Sequence, residues 1–255
     1  FLVMSLILST SHHVKSQAST AKFKSGPKGI KNVVLVHGAF ADGTSSCSEV
    51  ISQLQAKGYN VIAAQNPLTS FNEDVAAAKW AIAQMDGPVL LVGHSYAGMV
   101  ISEAGKDPKV AGLLYISALV PEDGQNAGDV NAAMPTTGVE KLFQLSPDGF
   151  LSLPVKAIEE HFAQDASPEE RKVLYATQVP WAVSITTQKV NNPAWQTKPT
   201  WQIIAAKDGM ISPDLQRYKS KVIKSTTLEL ASGHVPMVSQ PGKVVDFIIS
   251  AAQKL

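Results

Sequence analysis

The sequence has little of several features that mark particular classes of protein. Its 255 residues include one cysteine, Cys47, so an internal disulfide is excluded. The 22 Lys and Arg residues are balanced by 21 Asp and Glu residues, and no basic run or stripe is present, so nucleic acid is not an expected partner. Cysteine and histidine do not occur with the spacing of a zinc site, and neither a metal nor another cofactor is expected.

The sequence also lacks a hydrophobic run long enough to span a bilayer. The apolar N-terminal stretch, Phe1 to Leu8, is followed by polar residues and by Ser16-Gln17-Ala18, which is similar to a signal-peptide cleavage site. We therefore expect residues 1–18 to be a clipped signal peptide and the mature chain, beginning at Ser19, to be secreted or periplasmic without entering the membrane. A short hydrophobic arm packed on a cytoplasmic protein is the alternative.

The most informative stretch is an apolar strand that runs directly into a serine between small residues. Residues 89–98 read Val-Leu-Leu-Val-Gly-His-Ser-Tyr-Ala-Gly, with Ser95 at the turn. A serine hydroxyl is a weak nucleophile unless it is exposed on a sharp strand-to-helix turn beside a base. Ala97 stands where the G-x-S-x-G pattern has its second glycine, so some room is lost. The pattern predicts a nucleophilic Ser95, with a purely structural turn as the alternative.

A second apolar strand, Asn32 to Val36, ends in His37-Gly38-Ala39-Phe40. Acyl transfer through a tetrahedral intermediate needs two donors aimed at the developing oxyanion, and backbone N–H groups supply them without reorganisation. We predict that these donors are the amide of Tyr96, directly after the nucleophile, and the amide of Ala39 in this loop. Phe40 is the second choice for the loop donor.

An acid and a base follow Ser95 in the order that a serine triad of this kind requires. A strand-like run over residues 200–206 ends at Lys207-Asp208-Gly209, and a short strand over 226–230 precedes Ser232-Gly233-His234. His234 is predicted to take the Ser95 proton and return it to the leaving group, while Asp208 fixes the tautomer and stabilises the imidazolium. The competing carboxylates, ranked below Asp208, are Glu122, Asp123 and Asp214.

These motifs resemble those of the α/β-hydrolase family, and within it the branch of small esterases, plant methylesterases and hydroxynitrile lyases. The likeness extends from Asn32 to the C-terminus, and its most specific part is His234 with the following residues 235–241, Val-Pro-Met-Val-Ser-Gln-Pro. The resemblance implies an α/β-hydrolase fold with a mostly parallel sheet, helices on both faces and a small helical cap. Lyases of this branch commonly carry Thr after the first His and Lys after the catalytic His. This chain has Gly38 and Val235 there, which favours ester hydrolysis.

The order of the predicted elements agrees with this fold, because strands and helices alternate as they do in a parallel sheet covered on both faces. With 45% hydrophobic residues, the stretch 19–255 fits one domain with a large core. The predicted strands cover residues 33–36, 60–64, 88–93, 111–118, 201–206 and 226–230. The predicted helices cover residues 46–57, 72–85, 96–105, 213–221 and 241–252.

The alternation stops between Pro121 and Pro199, so residues 121–199 are predicted to be an insertion with its own structure. Residues 139–143, 158–162 and 167–178 are predicted to be helical. In an α/β hydrolase a cap over the nucleophile occupies this place. Its apolar wall is expected from Phe143, Phe150, Leu151, Leu153, Tyr175, Trp181 and Trp195, with plain packing onto the sheet as the alternative for each. The candidates for the substrate pocket itself are Phe40, Phe143, Trp181, Trp195 and Val235.

The sequence therefore predicts a serine carboxylic ester hydrolase that acts on a small apolar ester through an acyl-enzyme intermediate on Ser95, without a cofactor. A hydroxynitrile lyase or a cofactor-free haloperoxidase with the same triad is the alternative among enzymes. A ligand-binding protein that has kept the fold is the alternative outside enzymes. The intact triad argues against the last, because binding alone needs no base behind a serine.

Overall fold

The computed structural model describes residues 28–255, so the expected signal peptide at residues 1–18 lies outside the described residues. The strands in the described part are β1 (Asn32–Val36), β2 (Asn60–Ala64), β3 (Val89–His94), β4 (Val110–Ile116), β5 (Gln144–Leu145), β6 (Phe150–Ser152), β7 (Trp181–Ala182), β8 (Thr200–Ala205) and β9 (Thr226–Leu230). Six of them form a parallel sheet in the order β2-β1-β3-β4-β8-β9. The other three form an antiparallel sheet in the order β5-β6-β7.

The middle of the parallel sheet is the core of the molecule. Every side chain of β1, β3 and β8 is buried, whereas the edge strands β2 and β9 are partly exposed. Mostly apolar runs such as these are typical of parallel strands with helices on both faces. Because the strands are parallel, their carboxyl ends share one edge of the sheet, and the loops after β1, β3, β8 and β9 meet there.

The helices of the described part are α1 (Ser48–Ala56), α2 (Phe71–Ala83), α3 (Ala97–Ala104), α4 (Ala127–Ala132), α5 (Val155–Ala157), α6 (Pro168–Thr177), α7 (Pro213–Val222), α8 (Pro236–Ser239) and α9 (Pro241–Ala252). Helix α1 packs against α9, and α2 packs against α3. Right-handed crossovers place these two pairs on opposite faces of the sheet. Across residues 28–255, no helix has both the length and the apolar character that crossing a membrane requires.

Residues 121–199, which we call the cap, lie between β4 and β8 and consist of short elements. They include the antiparallel sheet, helices α4 to α6, a π-helix at Ile158–Phe162 and 3-10 turns. The turns are Val139–Leu142, Val183–Thr187 and Ala194–Gln196. Helix α6 begins at a capping box, in which Ser167 accepts the Glu170 N–H and the Glu170 carboxylate accepts the Ser167 N–H.

The predicted α/β fold with a mostly parallel sheet is confirmed. In the sheet domain, meaning the described residues outside the cap, the predicted ends lie within two residues of the observed ones. The helix predicted at 72–85, for example, is Phe71–Ala83. The prediction of a helical cap was incomplete, because the cap also holds the three-stranded sheet. Strands of two or three residues are too short for an alternating pattern to reveal them.

Candidate active site

The candidate nucleophile lies on a sharp turn between β3 and α3. Ser95 has a φ of 57°, a left-handed backbone conformation that residues other than glycine rarely adopt. Helix α3 begins two residues later, at Ala97. The turn is held by the Ser95 N–H, which donates to Ile116 O at 3.0 Å. Gly98 has to be glycine, since a Cβ there would collide with the carbonyl of Leu119. This turn between β3 and α3, which we call the elbow, thus stores backbone strain at Ser95, the residue whose hydroxyl it exposes.

Ser95, His234 and Asp208 form one hydrogen-bonded chain. His234 Nε2 lies 2.8 Å from Ser95 Oγ, and His234 Nδ1 lies 2.8 Å from Asp208 Oδ2. Asp208 also accepts the backbone N–H groups of Met210 and Ile211 and the side-chain amide of Gln216, at 2.7 to 3.0 Å. Because both Asp208 oxygens accept hydrogen bonds, His234 donates from Nδ1, and its Nε2 is left to accept the Ser95 hydroxyl proton.

The three competing carboxylates lie in other contacts. Glu122 pairs with the buried ammonium of Lys219 at 2.8 Å. Asp123 accepts the backbone N–H of Asn192, and Asp214 lies on an exposed face against Arg217. Asp208 is therefore the carboxylate, among the four weighed from the sequence, that the structure brings to His234.

The two expected oxyanion donors belong to segments that adjoin Ser95, since Tyr96 follows it and Ala39 follows Gly38, which lies against it. Within residues 28–255, the backbone N–H groups of Ala39 and Tyr96 donate to no other protein group, and the same holds for the second choice, Phe40. Gly38 brings this loop against the nucleophile: a Cβ on Gly38 would lie 2.6 Å from Ser95 Cβ. The loop after β1 can therefore approach the reacting oxygen closely.

Two buried histidines support these loops as neutral groups. His37 Nε2 accepts the Asn66 N–H at 2.8 Å, so its Nδ1 donates to Gly38 O at 2.9 Å. His94 Nε2 donates to the carbonyl of His234 at 2.9 Å. Burial lowers the pKa of His37, and burial together with His234 lowers the pKa of His94 well below the usual value. Both rings thus hold the backbone without carrying a charge.

Aromatic side chains of the sheet domain and of the cap pack against one another beside the elbow. The Phe40 ring lies 5.3 Å from that of Phe143 and 5.9 Å from that of Trp181, centroid to centroid. Trp181 also lies 5.2 Å from Tyr96, and Val235 is fully buried beside His234. Phe40, Phe143 and Trp181 are therefore brought together beside Tyr96, the residue after the candidate nucleophile, and Val235 follows His234 in the chain.

The fifth candidate, Trp195, is not brought to this cluster. Its indole N–H donates to Pro121 O at 2.7 Å, and its short helical turn packs on the C-terminal end of α3, where a Cβ on Gly105 would contact Ala194. The nucleophile is at the opposite end of the same helix. Tyr175, expected in the apolar wall, is 43% exposed on α6. Its place on the outer surface makes it unsuitable as a wall.

The cap also touches the loops that carry the acid and the base, which the sequence did not indicate. The Phe162 ring lies 5.4 Å from that of His234, and the Asp165 carboxylate accepts the Gly233 N–H at 2.8 Å. The Gln164 amide donates to Lys207 O at 2.6 Å. The loops that carry Asp208 and His234 are thus held by contacts with the cap as well as by the strands of the sheet.

A second residue missed from the sequence is Asp74, on α2. Its side chain is fully buried, and its carboxylate accepts the Tyr96 hydroxyl and the Leu68 N–H, each at 2.8 Å. Burial raises the pKa of this carboxyl to about 6. Asp74 shares the apolar face of α2 with Phe71 and Ala78. That spacing was the available signal, since a carboxylate on the buried face of a helix needs a partner.

Metal ligands are not grouped in the described part of the chain. Over residues 28–255, no three histidine, cysteine, aspartate or glutamate side chains lie together as a metal ion would need. The single thiol, Cys47, is buried at the start of α1, and burial raises its pKa to about 11.

Comparisons with known proteins agree with this architecture. The model of the "Alpha/beta hydrolase family" matches residues 33–247. The alpha/beta hydrolase nvfD of Aspergillus novofumigatus is 27% identical over 238 residues, 80% of this chain and 89% of that protein. The crystal structure of polyneuridine aldehyde esterase superposes with a TM-score of 0.76 at 18% identity, covering 87% of this chain and 99% of that one. A pyrethroid hydrolase from Sphingobium faniae superposes with a TM-score of 0.73 at 22% identity, covering 87% and 97%.

Proposed function

Because this chain belongs to the α/β-hydrolase family, we propose that it is a serine carboxylic ester hydrolase that acts on small apolar esters through an acyl-enzyme intermediate. The observation that carries the proposal is the chain of hydrogen bonds from Ser95 Oγ through His234 to Asp208, with 2.8 Å on each side of the imidazole. A histidine that donates from Nδ1 can accept the serine proton at Nε2 and so activate the hydroxyl, whereas ligand binding alone does not require this arrangement.

In the acylation half of the reaction, Ser95 Oγ attacks the ester carbonyl carbon while its proton passes to His234 Nε2. The oxyanion of the tetrahedral intermediate lies between the N–H groups of Ala39 and Tyr96, which need no reorganisation to receive it. Asp208 stabilises the imidazolium that forms. The intermediate collapses when His234 gives the proton to the alkoxide, so the alcohol leaves and the acyl group stays on Ser95.

In the deacylation half, water takes the place of the alcohol. His234 removes its proton, the hydroxide attacks the acyl carbonyl, and the same two N–H groups receive the second oxyanion. The bond to Ser95 Oγ breaks as the histidine returns the proton to it. The products are a carboxylic acid and the free enzyme, and both half-reactions use only side chains and backbone groups of this protein.

The walls of the site support an apolar substrate. Phe40, Phe143 and Trp181 meet over the elbow, and a charged group placed among these rings would lose its hydration without finding an ion partner. Among the related structures, one is an esterase and the other a hydrolase of pyrethroids by their printed names, which agrees with a hydrolytic reaction.

Two positions support hydrolysis over the lyase reaction of the same branch. A threonine in place of Gly38 would bring its Cβ within 2.6 Å of Ser95 Cβ, so the elbow as built here has no room for it. Val235, the position of the lyase lysine, is completely buried, where an ammonium without a partner is costly.

The test is a panel of p-nitrophenyl esters with acyl chains from acetate to octanoate, together with mandelonitrile as the lyase substrate. We expect the wild type to hydrolyse the short esters and to release cyanide no faster than buffer. Ser95→Ala should abolish the hydrolysis while keeping the circular dichroism spectrum of the wild type. Cyanide release by the wild type, or ester hydrolysis that survives Ser95→Ala, would refute the proposal.

A further inference from the structure

The chemistry proposed for this site leaves one buried carboxylate unused. Asp74 has no solvent exposure, and it accepts hydrogen bonds from two neutral donors, the Tyr96 hydroxyl and the Leu68 N–H. The neighbouring charge that acts on it, Glu73, has the same sign. A buried carboxylate held only by neutral donors costs stability, so its presence on the apolar face of α2 calls for a role beyond packing.

The first partner of Asp74 is the residue that follows the nucleophile. Tyr96 is 2% exposed, and its ring is held between the Asp74 carboxylate at one end and the Trp181 ring, 5.2 Å away. The backbone N–H of Tyr96 is the proposed oxyanion donor. Because the preceding Ser95 has a strained φ of 57°, the orientation of that N–H depends on what fixes residue 96 from its other side.

The second partner of Asp74 leads to the cap. Leu68 donates its N–H to Asp74, and its carbonyl accepts the N–H of Ala182 at 3.0 Å. Ala182 follows Trp181, whose ring lies against Tyr96. The Asp74 carboxylate is therefore linked by hydrogen bonds to Tyr96, directly to Leu68 in the loop after β2, and through Leu68 to the cap strand β7.

We propose that Asp74 is a positioning residue that fixes the Tyr96 N–H in the oxyanion hole through the Tyr96 hydroxyl and joins it to the cap through Leu68. The inference rests on the proposed function. It assigns Asp74 no contact with the substrate and no proton transfer. Its effect should fall on the transition state, in which the oxyanion is formed, and little on the ground state.

Three variants separate positioning from plain structural support. Asp74→Ala removes both hydrogen bonds. Asp74→Asn keeps the shape, can still accept the Leu68 N–H through Oδ1, and can donate to the Tyr96 hydroxyl. Tyr96→Phe removes only the hydroxyl and leaves the backbone donor in place. The matched control is Tyr115→Phe, since Tyr115 is another fully buried tyrosine whose hydroxyl, 2.9 Å from Ser102 Oγ, makes a hydrogen bond unrelated to the oxyanion hole.

The readout is the rate constant for phosphonylation of Ser95 by a fluorophosphonate probe, followed to completion by intact-mass analysis. Ser95 Oγ forms a bond to phosphorus and fluoride leaves with the proton taken by His234, while the phosphoryl oxygen occupies the oxyanion hole. Irreversibly unfolded molecules lower the amplitude of the reaction and leave the rate constant unchanged, and circular dichroism at the labelling temperature confirms that each variant is folded. Ester kinetics on the same variants give kcat and KM separately.

We expect Asp74→Ala and Tyr96→Phe each to slow phosphonylation by about tenfold, as expected for a misplaced oxyanion donor. The losses should not multiply in the double variant, and kcat should fall with little change in KM. Asp74→Asn should lie within about threefold of the wild type, because it keeps both contacts. Tyr115→Phe should react like the wild type.

A wild-type phosphonylation rate in either Asp74→Ala or Tyr96→Phe would overturn the positioning role and leave the esterase proposal intact. A loss in the double variant equal to the product of the two single losses would do the same. Loss in Asp74→Asn as large as in Asp74→Ala would also overturn it, because the rescue is its specific consequence. A wild type whose Ser95 is not labelled would refute the proposed function and this inference together.

Discussion

The sheet domain and the cap contribute different things to the candidate site. In the sheet domain, the reacting side chains follow buried strands and are fixed by backbone hydrogen bonds, such as those from Met210 and Ile211 to Asp208. In the cap, helix α6 buries only Leu174 among its ten residues. Most of the exposed large apolar side chains of the described residues are also in the cap: Leu145, Val155, Val173, Tyr175 and Val183.

This difference separates reactivity from selectivity. A rigid sheet edge can hold three polar groups to within hydrogen-bonding distance, which the chemistry requires. A lightly packed insertion can change its walls without disturbing that geometry, which suits the choice of substrate. The contacts of Phe162, Gln164 and Asp165 with the acid and base loops are the exception, because there the cap reaches the reacting groups.

The largest expected effect is in the sheet domain. His234→Ala should lower kcat/KM for ester hydrolysis by on the order of 10³-fold or more, and combining it with Ser95→Ala should cost hardly more, because the two residues act as one unit. Steady-state kinetics on both single variants and on the double variant measure this. Losses that multiply would mean that the two side chains act independently.

A smaller effect is expected where the cap holds the base. Asp165→Ala leaves the Gly233 N–H without its acceptor, so the loop of His234 should loosen and kcat should fall by about tenfold with little change in KM. Asp165→Asn keeps an acceptor oxygen and serves as the control. If Asp165→Ala changed KM alone, the cap would act only on substrate binding, and the role of Asp165 in holding the His234 loop would be contradicted.

Two tryptophans of the cap provide a test of selectivity. Trp181→Ala enlarges the space beside Phe40 and Tyr96, so the ratio of kcat/KM for long and short acyl chains should shift toward long chains by about fivefold, the size expected for small changes in an apolar pocket. Trp195→Ala is the matched control, because its indole N–H donates to Pro121 O and its ring, in the described part of the chain, stacks on none of Phe40, Phe143 and Tyr96. It should lower stability and leave the chain-length profile unchanged. A shifted profile in Trp195→Ala would contradict the placement of these walls.

The smallest effect concerns stability and pH. Burial raises the pKa of Asp74 to about 6 from its usual value of 3.8, so the folded protein binds this proton more tightly than the unfolded chain does. The wild type should therefore become less stable, relative to Asp74→Asn, as the pH rises from about 4 through about 6. Urea unfolding of both proteins across this range gives the two free energies. A constant difference between them would show that Asp74 titrates normally.

The sequence was sufficient to predict which residues would lie together at one edge of the sheet, where short-range patterns determine their positions. Ser95, Asp208 and His234 each follow a strand with apolar residues and a turn, and parallel strands bring such ends to one edge. The same patterns could not distinguish Trp181 from Trp195, since both are large apolar residues in one insertion. Their separation depends on long-range contacts, with Phe40 and Tyr96 in one case and with Pro121 in the other.

Asp74 illustrates the same limit within a correctly predicted helix. The spacing of Phe71, Val75 and Ala78 marks the buried face of α2 and places Asp74 on it. Its hydrogen bond to Tyr96, however, joins residues that are 22 positions apart. Hydrophobic periodicity indicates which side chains are buried, but tertiary structure determines which polar group satisfies them.

The central claim, an acyl group carried on Ser95, is tested most directly with a p-nitrophenyl carbamate. Carbamoyl-serine hydrolyses slowly, so the covalent species accumulates. We expect the wild type to release one equivalent of p-nitrophenol per molecule and to carry a carbamoyl group on the peptide that contains Ser95, whereas Ser95→Ala should release none above buffer. A carbamoyl group on another residue of an active wild type, or p-nitrophenol release that persists in Ser95→Ala, would contradict the account.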